Sequence, residues 1–137
     1  MINSLPSEGT SFMMTIKKAE TITGYRIFTR RHPHTKRTMA AAETEAGQII
    51  WAALGKDDQE AICQLVEDVY QMNSHIVMER QGWRCKECGG LRPLSAHHVK
   101  KRSHGRYDGI DNLEGLCADC HERRHGSRAT KQKTMRR

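Results

Sequence analysis

Cys85-Lys86-Glu87-Cys88, Ala96-His97-His98-Val99, Asp111-Asn112-Leu113 and Leu116-Cys117-Ala118-Asp119-Cys120-His121-Glu122-Arg123-Arg124-His125 follow one another near the C-terminus. A two-residue gap lets two thiolates converge on one ion at tetrahedral angles, and two such knuckles can close a four-sulfur zinc site. Gly89-Gly90 follows the first knuckle directly, where a left-handed backbone is often required. A redox dithiol comes as one Cys-x-x-Cys within a β-α-β pattern; this chain has two pairs and no such pattern. Cys85, Cys88, Cys117 and Cys120 therefore read as a structural zinc site. A site closed by four cysteines is coordinatively full, so it organises the chain and does not itself react. Zinc binding of this kind is worth on the order of 10 kcal/mol, which makes folding metal-dependent.

Between the knuckles, Leu94 to Val99 reads as a short strand and Lys100 to Gly109 as a polar loop. Ile110 to Leu116 reads as a second strand approach and Cys120 to His125 as a helix. That helix puts His121 and His125 one turn apart on one face, the spacing of a two-imidazole metal site. His97 on the facing strand is a candidate third ligand. Adjacent strand residues point to opposite sides, so His97 and His98 can divide the work between metal and substrate. Asn112 can tie the loop to the strand or orient an imidazole. Lys100, Lys101, Arg102 and Arg106 in the loop, with Arg123 and Arg124 on the helix, are candidate phosphate contacts of the salt-sensitive, sequence-independent kind. Each reads equally as solvated charge. His104 reads as a plain loop residue.

These residues resemble the HNH endonuclease family, whose core is a ββα-metal finger. The resemblance runs from about Trp83 to Gly126. It rests on His-His at the first strand, Asn-Leu before the second, and Cys-x-x-Cys-His-x-x-x-His on the helix. It implies an α+β fold: a small ββα-metal HNH domain stapled by the four-cysteine zinc site. It implies metal-dependent hydrolysis of DNA by a water that a general base activates, leaving 5′-phosphate and 3′-hydroxyl ends. His98 then occupies the place of the general base, and Asn112 that of the middle residue of the motif. His97, His121 and His125 sit where three-histidine, colicin-type members hold one divalent metal. Many relatives have Asp at the place of His97, and imidazoles suit zinc or nickel better than magnesium. The ion is thus left open among zinc, nickel, manganese and magnesium. His121 adjoins Cys120 and can be drawn into the zinc frame instead. Relatives of this kind, in bacteriophages and bacteria, serve DNA packaging, restriction or mobile elements. The rival reading is a non-catalytic zinc module that binds DNA or protein; it needs the cysteines but not the histidines and Asn112 together.

Outward from this array, the charge is lopsided. Residues 1–80 carry nine Lys/Arg and ten Asp/Glu, a net of −1; residues 81–137 carry fourteen and six, a net of +8. A basic excess beside the motif favours a polyanion, and DNA is the expected partner. No apolar run is long enough for a membrane helix, and the start lacks the pattern of a secretory signal. Paired Cys-x-x-Cys without an export signal points to a reducing cytoplasm.

Residues 1–80 read as an α+β accessory region, 81–127 as the nuclease domain, and 128–137 as a basic tail expected to be disordered. Within the first, residues 1–12 read as a loose leader and 13–31 as one or two strands broken by Gly24. Residues 30–38 form a basic turn, either a secondary phosphate contact or a solvated loop. Residues 39–54 read as a short helix running into Ile49-Ile50-Trp51, weakened by Gly47. Ile62, Leu65, Val66, Val69, Met72, Ile76 and Val77 predict an amphipathic helix over about 57–80, capped by Asp57 or Asp58 and stopped near Gly82. Cys63, near that stripe, reads as a small buried residue. The helix offers a surface for a second copy of the chain or for docking to a larger DNA-processing complex.

Overall fold

The computed structural model describes residues 13–101 and 105–125. The leader 1–12, Arg102, His104 and the basic tail 128–137 lie outside the described residues. The chain divides into two compact units, Met1–Tyr70 and Gln71–Arg137. Both are α+β, with three α-helices and two small antiparallel sheets among the described residues. No described helix is long and apolar enough to cross a membrane.

The first unit opens with helix α1, Ile16–Thr23, where extended structure was expected. Its β-branched Thr21-Ile22-Thr23 suggests a strand, but the ends decide otherwise. Thr15 caps the start by accepting the Lys18 N–H at 3.0 Å. Gly24, at φ 81°, closes the end by returning its N–H to Glu20. Ala19 and Ile22, three apart, then bury one face.

Strands β1 (Arg26–Arg31), β2 (Thr38–Glu43) and β3 (Ile49–Gly55) follow as an antiparallel meander in the order β1-β2-β3. The helix expected over 39–54 is therefore replaced by two strands and a turn. Alanine is the best helix former, yet Ala40, Ala41 and Ala42 are fully buried in the central strand, hydrogen-bonded on both edges. Gly47, at φ 85°, sits in the β2–β3 turn closed by Thr44 and Gln48.

Helix α2, Asp58–Arg80, runs close to the predicted span. Asp57 caps it, its side chain accepting the Glu60 N–H at 2.9 Å. Ala61, Ile62, Leu65, Val66 and Val69 pack with Ala40, Ala42 and Ala53 in one core. The small alanines on the sheet admit the branched side chains of the helix. Cys63 is exposed, contrary to expectation; at 3.6 residues per turn, the 62-65-66-69 stripe leaves position 63 off the buried face. Gly55 lies where β3 meets the start of α2, and a Cβ there would stand 2.4 Å from the Ala61 backbone nitrogen. Gly55→Ala is expected to destabilise this unit by about 1–3 kcal/mol through overpacking against main chain. A urea titration followed by circular dichroism should show a lowered midpoint at unchanged slope.

The boundary between the units falls within α2. Its last turns belong to the second unit, with Asn73, Val77 and Met78 buried. The helix ends at Gly82, where Trp83 N–H reaches Met78 O and Gly82 N–H reaches Glu79 O, the paired bonds of a Schellman cap. Strands β4 (Leu94–His98) and β5 (Leu113–Cys117) then pair antiparallel, from Leu94↔Cys117 to His98↔Leu113. A short 3-10 turn, Ile110–Asn112, leads into β5, and α3 (Ala118–His125) completes a ββα order. Gln81 pins the sheet to the end of α2, accepting the Gly115 N–H at 2.8 Å and donating to Gly115 O at 3.1 Å. The core of this unit is Cys85, Leu116, Cys117 and Cys120, with Leu94 against it.

Candidate functional site

The two knuckles meet. The sulfurs of Cys85, Cys88, Cys117 and Cys120 all lie within 4.8 Å of one another, and those of Cys88 and Cys117 are 3.9 Å apart. A tetrahedral zinc site with bonds of about 2.3 Å requires sulfurs about 3.8 Å apart, so the cluster has the dimensions to hold such an ion. Burial pushes the Cys85 thiol up, but backbone N–H groups of Cys88, Cys117 and Glu87 and the Cys120 thiol outweigh it and hold it at about 6. Cys120 is pushed up to about 12, by burial first and then by the thiols of Cys117, Cys85 and Cys88. A cation entering the cluster displaces the protons that such a thiol retains. Among the described residues, no other group of three Cys, His, Asp or Glu brings its ligand atoms so close.

The neighbouring histidines of β4 face different partners. His97 sits opposite Glu114 in the strand register, with Nε2 4.0 Å from Oε2 of that carboxylate. Its ring meets the His121 ring edge-on, centroids 5.2 Å apart. His97 and Glu114 are both buried. His125 lies in α3, but its side chain is outside the described residues. The structure thus brings His97 and His121 together, with Glu114 beside them.

His98 is turned to the loop after β4. Its Nε2 lies 2.7 Å from Oδ1 of Asp108. Asp108 is fully buried and grips Arg106, whose Nη2 donates to Oδ2 at 2.8 Å and whose Nε reaches both oxygens. Its main-chain oxygen accepts from Asn73 Nδ2 at 2.9 Å. A carboxylate accepting from Nε2–H leaves the lone pair of a neutral imidazole on Nδ1. The Asp108–His98 pair therefore selects a ring tautomer.

Asn112 closes the loop between the strands. Its Oδ1 accepts the Lys100 N–H at 2.8 Å, its Nδ2 donates to Tyr107 O at 2.7 Å, and its main-chain oxygen accepts the Val99 N–H at 2.9 Å. These bonds join both ends of the 100–107 segment to the start of β5.

Several cations read as phosphate contacts have protein partners instead. Arg106 is held by Asp108. Arg124 bridges Glu114, at 2.6 Å, and Glu87. Those two carboxylates also raise its pKa, Glu87 most. Arg123 donates to the Cys120 sulfur at 3.2 Å. Lys100 and Lys101 are exposed, with no ion pair to a described residue. A basic residue on a loop reads alike whether it faces phosphate or a carboxylate distant in sequence.

The acidic partners were not singled out from sequence. Asp108 is the only acid between Leu91 and Ile110, set among Lys100, Lys101, Arg102 and Arg106. Glu114 interrupts the apolar run Leu113–Leu116 on the face of His97. Each is a readable anomaly, but only the fold supplies its partner.

A family model described as HNH endonuclease matches residues 85–127, the span that holds both knuckles, β4, β5 and α3. No curated protein and no solved structure matches the chain. The ββα order and the four-cysteine cluster both lie within this match, so it is the segment 85–127 that is similar to an HNH endonuclease domain.

Proposed function

We propose that the protein is a metal-dependent endonuclease that hydrolyses DNA phosphodiester bonds and leaves 5′-phosphate and 3′-hydroxyl ends. The observation that carries this reading is the His98–Asp108 pair at the end of β4, inside the HNH match. Asp108 fixes the Nε2–H tautomer, so Nδ1 of His98 is the atom that takes the proton from the attacking water. Asn112 holds the loop against the strand and so sets the position of His98. His97 and His121, with Glu114 beside them, are the donors for a divalent ion. Imidazole donors suit a transition ion better than magnesium. When bound, such an ion neutralises developing charge on the phosphate and stabilises the leaving oxygen. Arg124, donating to Oε2 of Glu114, braces that carboxylate. The four cysteines hold zinc and take no part in the chemistry.

The test is a plasmid assay. Zinc-loaded protein freed of excess metal is incubated with supercoiled DNA and magnesium, manganese, nickel or zinc in turn. Nicked or linear DNA is expected with at least one ion, with ends that DNA ligase rejoins without prior kinase treatment. Intact plasmid under every ion overturns the reading, and retained DNA binding in that case identifies a non-catalytic module.

A further inference from the structure

Charge in the first unit is segregated. Residues 21–42 contain five Lys/Arg and no Asp/Glu, whereas the remainder of residues 1–70 contains three Lys/Arg and nine Asp/Glu. A surface charged only for solubility mixes both signs. Here the cations are gathered on β1 and the β1–β2 turn. Arg26 pairs with Glu43 at 3.7 Å. Arg30, Arg31, Lys36 and Arg37 are exposed, and none forms an ion pair with a described residue.

The turn that carries them is braced from within. His32 N–H donates to Arg37 O at 2.8 Å, and Lys36 N–H donates to His32 O at 2.9 Å, with Lys36 at φ 65°. His32 Nδ1 accepts the N–H groups of His34 and Thr35, each at 3.2 Å. Side chains on such a turn lose less freedom on binding than those on a slack loop. Beside the turn, Arg30, Met39 and Leu54 share one face of the sheet and line a groove of about 340 Å³ with Arg31, His32 and Pro33. Cations around an apolar floor suit a sugar–phosphate backbone, whose sugars pack while its phosphates pair.

We infer that the β1–β2 hairpin, at the edge of the sheet and at its turn, is a second DNA-binding element, which anchors on backbone phosphates through Arg30, Arg31, Lys36 and Arg37. The choice of DNA as partner rests on the nuclease reading; the polyanion-binding surface itself rests on the charge pattern. In the second unit Arg106, Arg123 and Arg124 are engaged by protein groups, which leaves Lys100 and Lys101 as its exposed candidate contacts among the described residues.

The test uses the full, zinc-loaded chain carrying His98→Ala, so that binding is read without cleavage. Fluorescence anisotropy measures affinity for a labelled 30-base-pair duplex across a salt series. The fourfold variant Arg30→Gln/Arg31→Gln/Lys36→Gln/Arg37→Gln is compared with its parent. The duplex should bind roughly a hundredfold more weakly, and its log–log salt dependence should be shallower by about 3 to 4. Unchanged affinity and salt dependence, with an unchanged unfolding midpoint, overturn the inference. If the plasmid assay fails but this variant still loses duplex binding, the nuclease reading falls and the hairpin stands; if cleavage occurs and the hairpin variant binds as its parent does, the hairpin alone falls.

Discussion

Replacing Cys117 by serine, or stripping metal with a strong chelator, is expected to abolish the folded state of the β4–β5–α3 segment. The core there is four residues, three of them cysteines, with Leu116 the one large aliphatic side chain fully buried. Burying such a side chain contributes about 1.5–3 kcal/mol. Fixing the backbone of each residue costs about 1–2 kcal/mol. The apolar term cannot hold the segment by itself, whereas a structural zinc supplies on the order of 10 kcal/mol. The metal content of the purified protein should be at least one zinc per chain, and Cys117→Ser should lose that zinc together with the dispersed amide signals of residues 85–125. Cys63→Ser is the control, since Cys63 is exposed and outside the cluster; it should keep both metal and fold. A metal-free Cys117→Ser protein with a native amide spectrum would sink the zinc-frame reading. The first unit should respond differently to the same chelator, because its core joins α1, all three strands and α2 through eleven buried side chains.

The same contrast explains what was legible in the sequence. Ligand spacing is short-range and geometric, so Cys85-x-x-Cys88 and Cys117-x-x-Cys120 announce a converging cluster before any fold is known. The α2 stripe is legible for a similar reason, since its period repeats over several turns. Ala40-Ala41-Ala42 is not, because isolated alanines favour helix, and only hydrogen bonds from β1 and β3 on either side make them a strand. Thr21-Ile22-Thr23 errs in the opposite direction, where caps at Thr15 and Gly24 outweigh β-branched residues over a short helix. At the site, the histidines stand out as rare residues in a pattern. Asp108 and Glu114 do not, because a carboxylate takes its meaning from the group it faces, and His98 lies ten positions from Asp108.

That pairing sets the second large effect. His98→Ala is expected to reduce single-turnover DNA cleavage by roughly 10²–10⁴-fold, the usual contribution of a positioned general base. DNA affinity should stay within a fewfold, because the ring is buried and is not a phosphate contact in this scheme. His97→Ala should behave differently, raising the metal concentration needed for cleavage, since the proposed scheme makes His97 a donor to the ion and not the base. Asp108→Asn is the sharper probe of how His98 works. The substitution keeps size and buried polarity but replaces one carboxylate oxygen by an N–H donor. An amide aimed at Nε2 through its nitrogen favours the Nδ1–H tautomer, which removes the lone pair that the water needs. Cleavage by Asp108→Asn should therefore fall at saturating metal, with metal dependence and DNA affinity retained. If Asp108 only holds the loop, the loss should instead accompany a lowered unfolding midpoint, and Asn73→Ala, which removes the bond to the Asp108 main-chain oxygen, should reproduce it. Cleavage by His98→Ala within tenfold of the parent would remove His98 from the chemistry and leave the base to be sought among the other imidazoles of the domain.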